Sequence, residues 1–206
     1  MWFIVIKYFL NNIVWLTNIT YALFTYELHY YLMYYQSIIS WNMSLLDKEP
    51  VKRVEKFLKG FNQSLEVIII ENSAKTAKDA ATALGCDVGS IVKSLLFKTE
   101  DSFFLCLVAG DKRCSLNKLK EIKNKKDISM ASPEEVKTQT GYTIGGVSPV
   151  GHLNKLEIFI DKSLERFNKI FAAAGHPNCV FKIDFSNIQK ITNGKIKDII
   201  EWENQN

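Results

Sequence analysis

The sequence has few of the residues that build metal sites. Its 206 residues include only four cysteines and three histidines. Cys86, Cys106, Cys114 and Cys179 form no C-x-x-C pair and no Cys–His cluster, although a structural zinc site needs closely spaced ligands of this kind. We therefore expect no metal, no cofactor and a reducing, cytoplasmic compartment in which the thiols stay free.

Sequence signatures of several enzyme classes are also missing. No Gly-Lys-Ser/Thr follows the glycine-rich segments, so they are not Walker loops, and no G-x-G-x-x-G occurs. The chain has no G-x-S-x-G elbow, and after residue 42 its histidines are His152 and His176, each in a Gly/Pro turn. A hydrolase made from this chain would therefore not use a serine triad.

The charge of the chain is mild and dispersed. The formal net charge is +4, with 47% hydrophobic and 23% charged residues, as in ordinary soluble globular proteins. No long basic run is present. This balance is compatible with one patch that contacts a polyanion, and equally with none.

The composition changes abruptly near residue 42. Residues 1–42 carry two charged side chains, Lys7 and Glu27, and are crowded with aromatic residues. Three interpretations compete: a membrane anchor, a genuine extension of the domain, or translated AT-rich DNA ahead of a true start at Met43. The apolar run 8–26 has membrane-spanning length but is interrupted by Asn and Thr. We favour the third interpretation, with residues 43–206 as the domain and no membrane association.

Residues 43–206 show alternating helical and extended patterns that indicate a mixed α+β domain. Predicted helices cover Pro50–Phe61, Ala77–Leu84, Leu116–Ile122, a segment that starts at Pro133, and Phe185–Thr192. Predicted strands cover Leu65–Ile70, Ile91–Thr99, Phe103–Ala109, Tyr142–Pro149, Leu156–Ile160, Asn168–Ala173 and Cys179–Ile183.

Lys93 is the first candidate for a functional side chain. Side chains alternate along a strand, so Lys93 shares a face with Ile91, Leu95 and Phe97. A charged group among apolar neighbours costs desolvation unless it reaches an anion or a carbonyl. The alternative is an edge-strand lysine whose stem covers apolar surface while its ammonium reaches water.

The segment from Gly145 to His152 is the second candidate. Its glycines can expose backbone N–H groups to a ligand oxygen, and Pro149 fixes the turn. Such a loop could hold an oxyanion or a phosphate. It could also be no more than a tight turn.

Five segments together resemble the YbaK and prolyl-tRNA-synthetase-associated editing domains. They are Thr76–Gly85, Ile91–Phe97, Ala109–Arg113, Gly145–His152 and Ala174–Pro177, in that order. The similarity covers nearly all of residues 50–200, and residues 1–42 have no counterpart in the family. The resemblance implies a single α+β (mixed α/β) domain with a curved mixed sheet flanked by helices.

The resemblance also implies a function. It predicts metal-independent hydrolysis, in trans, of the ester between tRNA and a wrong amino acid, often on tRNA for proline carrying alanine or cysteine. The partner is aminoacyl-tRNA, with prolyl-tRNA synthetase or an elongation factor as further candidates. The alternatives are a binding or regulatory protein that retains the pocket without turnover, and hydrolysis of another aminoacyl or peptidyl ester.

The resemblance assigns roles residue by residue. Lys93 matches the central lysine of the family, which holds the substrate carbonyl or the terminal adenosine. Gly145, Pro149 and Gly151 match a G-x-x-x-P-x-G loop whose backbone positions the carbonyl and the water, so these four residues are the catalytic candidates. The residues expected to contact substrate are Thr76, Ile91, Leu95, Gly146, Ser148, His152, Gly175, His176 and Pro177. The 2′-hydroxyl of the tRNA itself is the candidate for activating water.

A shortened chain that begins at Met43 should fold and act like the full chain, because all five segments lie downstream of it. We expect the same melting temperature and the same deacylation rate for both. Insolubility of the shortened chain, or recovery of the intact Met1 protein from membranes, would contradict this.

Overall fold

The computed structural model describes residues 29–40, 45–70 and 76–201. Residues from Leu45 onward form one compact unit, and residues 29–40 are helical and belong to a separate one. Most of residues 1–42 lie outside the described residues, so their dispensability stays a prediction. Within the described ranges, no helix is both long and apolar enough to cross a membrane.

The helices begin and end close to the predicted positions. They are α1 Glu49–Phe61, α2 Ala77–Leu84, α3 Leu116–Lys123, α4 Pro133–Thr140 and α5 Phe185–Thr192. Thr76 and Ser132 each close a capping box with the carboxylate three residues on, which satisfies otherwise unpaired N–H groups in the first turn. Short 3₁₀ turns occupy Val88–Ser90 and Lys162–Arg166.

The strands form one mixed sheet. They are β1 Val67–Ile69, β2 Ile91–Lys98, β3 Phe103–Ala109, β4 Ser129–Met130, β5 Glu157–Asp161, β6 Ile170–His176, β7 Cys179–Ile183 and β8 Lys195–Lys197. Their order is β1-β7-β6-β2-β3-β5-β8, with β4 beside β2. The pairs β2–β3 and β6–β7 are antiparallel, whereas β2–β6, β3–β5 and β5–β8 are parallel. The predicted α+β class and mixed sheet are confirmed.

Both faces of the sheet are covered, as β3 shows most clearly. Leu105 and Leu107 pack into the larger core with Leu58 of α1, whereas Phe104 and Cys106 pack into a second core with Leu119 of α3. Alternating side chains of one strand therefore serve two cores, which explains why β3 is apolar along its whole length.

The predicted strand Tyr142–Pro149 is wrong, because residues 142–151 form an irregular loop. Gly145 adopts a left-handed φ of 87°, and the Gly146 N–H donates to the Thr143 carbonyl at 2.9 Å, which turns the chain. The hydroxyl of buried Tyr142 lies 2.8 Å from the Val150 carbonyl oxygen, so the loop closes on its own first residue.

The sheet has a gap along β2 that positions the candidate site. On one side β2 pairs with β6 at Ile91 and Val92, and with β4 at Phe97 and Lys98. Within the described part of the chain, no strand pairs with residues 93–96 on that side. The Leu96 carbonyl faces it, accepting from Ala131 N–H at 3.0 Å. Because backbone groups alternate along a strand, those of Ser94 face the gap too.

We expect Tyr142→Phe to loosen the loop 142–151. The hydroxyl is buried against the carbonyl oxygens of Val150 and Gly151, at 2.8 and 2.7 Å, and its loss leaves a buried acceptor with one partner fewer. The free energy of unfolding should fall by about 1–3 kcal/mol, measured by urea denaturation. An unchanged transition midpoint would show that this hydroxyl does not hold the loop.

Candidate functional site

A cavity of about 340 Å³ opens at the gap along β2, at the small end of the range for ligand pockets. Its walls come from β2, the start of α2, the segment after β4, the loop 142–151 and the β6–β7 hairpin. The lining is mostly apolar and includes Ile91, Leu95, Met130, Ala131, Val136, Ile144, Val147, Phe171 and Val180.

Lys93 supplies the cavity with its charge. Among the described residues that line the cavity it is the one ionisable side chain. Its ammonium donates a hydrogen bond to the Lys112 carbonyl, so the lysine does reach a carbonyl. Burial lowers the pKa of Lys93, and the negative charge of Asp111 partly opposes that shift.

Contacts made by the segment after β3 fix the position of the Lys112 carbonyl. The Lys112 N–H donates to the Ala109 carbonyl at 3.0 Å, and at Gly110 the Val88 carbonyl leaves no room for a side chain. Both oxygens of Asp111 accept from Arg166 Nη2, at 2.8 and 3.0 Å. Burial alone would raise the pKa of Asp111, but Arg166 lowers it overall, so the carboxylate stays charged beside Lys93.

The loop and the hairpin meet at the edge of the cavity. Gly145 lines the cavity beside Pro177. Behind it, a Cβ on Gly146 would lie 2.9 Å from the His176 Cα and 3.1 Å from the Gly175 carbonyl carbon. The backbone of Gly146 therefore packs closely against that of Gly175 and His176. The Gly146 N–H already donates to the Thr143 carbonyl.

Three predicted residues lie at a different place. Pro149, Gly151 and His152 line a second cavity of about 880 Å³. His152 Nε2 is 2.8 Å from the Ser148 carbonyl oxygen, and burial lowers the pKa of His152. Ser148 is fully buried and its hydroxyl accepts from Val150 N–H at 3.3 Å. These residues shape the loop rather than the first cavity.

His176 is not free to act as a base. Its Nδ1 accepts from the Asn178 N–H at 3.1 Å. Burial and the positive charge of Lys48, whose Nζ is 3.3 Å from Nε2, lower the pKa of His176. A donor therefore faces each ring nitrogen, from Asn178 and from Lys48, and the ring offers water no free lone pair.

The structure brings part of the predicted set together. The predicted residues that line the first cavity are Lys93, Gly145, Thr76, Ile91, Leu95 and Pro177. Sequence reasoning missed Ser94 and the residues around β4. Ser94 could have been found from its place beside Lys93, but β4 has two residues and no periodicity. No three His, Cys, Asp or Glu of the described residues form a group that could hold a metal.

Alanine substitutions at Gly145 and Gly146 should distinguish the stability cost of a steric clash from the cost of backbone strain. Gly146→Ala should lose about 1–3 kcal/mol of unfolding free energy, because its methyl meets backbone that cannot move aside. Gly145→Ala meets Pro177 only at 3.5 Å and should lose about 1–2 kcal/mol from its left-handed φ. Gly60→Ala is the control, since nothing lies within 4 Å of its Cβ. Equal melting temperatures for all three variants would contradict this description of the loop.

Comparisons with known proteins identify a family of similar sequence. A family model described as the aminoacyl-tRNA editing domain matches residues 71–191. YwhH of Bacillus subtilis, an uncharacterized protein, is 33% identical over 147 residues, which are 71% of this chain and 93% of YwhH. The proline–tRNA ligase of Fervidobacterium nodosum is 33% identical over 107 residues, 52% of this chain but 17% of the ligase.

A solved structure gives the same result at the level of the fold. The crystal structure of a proposed trans-editing enzyme for prolyl-tRNA synthetase has a TM-score of 0.72 and 35% identity, covering 75% of this chain and 99% of that one. The resemblance drawn from the sequence is thereby confirmed. The chain belongs to the aminoacyl-tRNA editing domain family.

Proposed function

We propose that this chain hydrolyses the ester of mischarged aminoacyl-tRNA in trans, with tRNA for proline carrying a small wrong amino acid, such as alanine or cysteine, as its substrate. The observation that carries the proposal is Lys93, a half-buried lysine in a small apolar cavity with its ammonium beside a backbone carbonyl. The apolar walls suit a short aminoacyl side chain, and the ammonium suits an ester carbonyl.

The ammonium stabilises the charge that develops during hydrolysis. It has three N–H donors, so it can hold the ester carbonyl oxygen while the Lys112 carbonyl accepts another. Water adds to the carbonyl carbon, and negative charge grows on this oxygen. The ester C–O bond then breaks, a proton reaches the ribose oxygen, and the amino acid leaves. A fixed donor in a water-poor site favours the charged transition state over the neutral ester.

The base that activates water comes from the substrate in this mechanism. Lys93 is an ammonium, His176 has no free lone pair, and His152 lies at the other cavity. The 2′-hydroxyl of the terminal ribose lies next to the ester by its covalent structure. Since no described residue that lines the cavity offers a free base, the 2′-hydroxyl is the group we assign to orient the water. Metal independence remains part of the proposal.

Binding of tRNA should depend on a few phosphate contacts. The net charge is only +4, and exposed Lys48 and Arg113 lie near the hairpin and near Lys93. Log affinity should therefore fall with log salt at a shallow slope, since each phosphate that the protein neutralises contributes about −0.7 to −0.9. A partner such as prolyl-tRNA synthetase or an elongation factor would add selectivity among tRNAs.

We expect Lys93→Ala to lower the single-turnover deacylation rate by about 10²-fold, the usual effect of losing an oxyanion donor. Lys93→Arg should retain only part of the wild-type deacylation rate, because a planar guanidinium does not replace a compact ammonium. Lys98→Ala is the matched control: Lys98 lies in the same strand but pairs with Glu135 at 2.6 Å, outside the cavity.

The substrates are tRNA for proline charged with alanine, cysteine, serine or proline. If Lys93→Ala melts normally and hydrolyses each of them at the wild-type rate, the mechanism is wrong. If the wild type binds these tRNAs and hydrolyses none, the chain is a binding protein.

Catalysis should fall at a lower alkaline pH than it would if it depended on an exposed lysine. The pKa of Lys93 is lowered, mainly by burial, so its proton is lost at a lower pH than from an exposed ammonium. The ratio of catalysed to spontaneous hydrolysis should therefore fall over the alkaline range below the pKa of an exposed lysine, which is about 10.4. The Lys93→Arg variant, although slower, should keep its ratio across this range, because arginine remains protonated. Parallel profiles for the two proteins would contradict a role for the lysine proton.

A further inference from the structure

We propose that Ser94 is a specificity-determining residue, and that the cavity selects an aminoacyl group whose side chain carries a hydroxyl or a thiol over one that ends in a methyl group. This inference rests on the proposed function for its ester chemistry. It concerns a different property, namely which aminoacyl side chain the cavity accepts.

The hydroxyl of Ser94 is buried without a partner. Its Oγ is inaccessible to solvent and makes no hydrogen bond to any described residue, although Ser94 lines the cavity. Buried hydroxyl groups in folded proteins nearly always have a partner. A group of this kind in the wall of a ligand cavity is therefore suited to a partner that the ligand brings.

The position of Ser94 agrees with that role. It follows Lys93 directly in β2, so the two side chains leave opposite faces of the strand, and the cavity reaches both faces because the edge of β2 is open there. Both residues line the same cavity, so an ester held at Lys93 can place its aminoacyl side chain against the wall that includes Ser94. The neighbours on the Ser94 face, Val92 and Leu96, are apolar and offer the hydroxyl no alternative partner.

The hydrogen-bonding capacity of the Ser94 hydroxyl determines which aminoacyl side chains the cavity should prefer. A serine hydroxyl both donates and accepts, so it can pair with the hydroxyl of a seryl group or the thiol of a cysteinyl group. An alanyl methyl offers no such partner, so the Ser94 hydroxyl would stay as unpaired as it is among the described residues. Sites built around such a hydrogen bond discriminate strongly against an analogue that lacks the group.

The test compares substrates within each variant. Single-turnover deacylation of tRNA for proline charged with serine, cysteine or alanine is measured for the wild type and for Ser94→Ala. The wild type should prefer seryl over alanyl substrate by about 10-fold or more, and Ser94→Ala should lose most of this preference.

Ser163→Ala is the matched control. Ser163 also has a buried hydroxyl without a partner among the described residues, but it lies in the 3₁₀ turn Lys162–Arg166 and does not line the cavity. Its removal should leave the seryl-to-alanyl ratio at the wild-type value. A thermal melt of each variant checks that folding is retained.

A second readout separates this inference from the proposed function. Binding of 3′-seryl and 3′-alanyl derivatives of 3′-amino-3′-deoxyadenosine, whose amide bonds resist hydrolysis, is measured for the same proteins. Selective binding by the wild type that is lost in Ser94→Ala supports the role of Ser94 even if no ester is hydrolysed. Turnover with an unchanged seryl-to-alanyl ratio in Ser94→Ala, or no selectivity in binding, overturns it.

Discussion

The candidate site depends on one hydrogen bond, from the Lys93 ammonium to the Lys112 carbonyl. A lysine in an apolar wall is costly unless its charge has a partner, and here the partner is backbone whose position is fixed. The turn at Gly110 has no room for a side chain, and Asp111 is held by Arg166 at 2.8 Å. A carbonyl neutralises no charge, so the lysine remains a cation that can attract a second oxygen.

The open edge of β2 is the second constraint. A continuous sheet would have satisfied residues 93–96 with a neighbouring strand and left no cavity. Instead β6 pairs only at Ile91 and Val92, β4 pairs only at Phe97 and Lys98, and the register of β6 with β7 shifts between Ala173 and His176. The cavity thus arises from strand topology, and the side chains then give it an apolar lining.

Sequence reasoning recovered the features that depend on local patterns. The helices Ala77–Leu84 and Phe185–Thr192 follow from residue types and periodicity, and the face shared by Lys93 and Leu95 follows from alternation. The predictions were wrong or incomplete where contacts between segments far apart in the sequence determine the structure. The strand predicted at Tyr142–Pro149 is broken by a left-handed glycine, and β4 exists only because β2 offers it an edge. The unpaired hydroxyl of Ser94 depends on what surrounds it, which no short segment encodes.

The glycine–proline loop shows how one motif can contain two kinds of residue. Gly145 lies at the cavity, whereas Gly151 lies where Arg53 and Tyr142 converge: its carbonyl accepts from Arg53 Nε and from the Tyr142 hydroxyl, both at 2.7 Å. Arg53 also donates to the Gly141 carbonyl at 3.3 Å, so α1 holds the end of α4 and the loop together. Glycine is required at 151 because a Cβ would lie 2.8 Å from the Tyr142 hydroxyl oxygen. The far end of the loop is therefore held by Arg53 and Tyr142, and Gly151 lines the second cavity, whereas Gly145 lines the first.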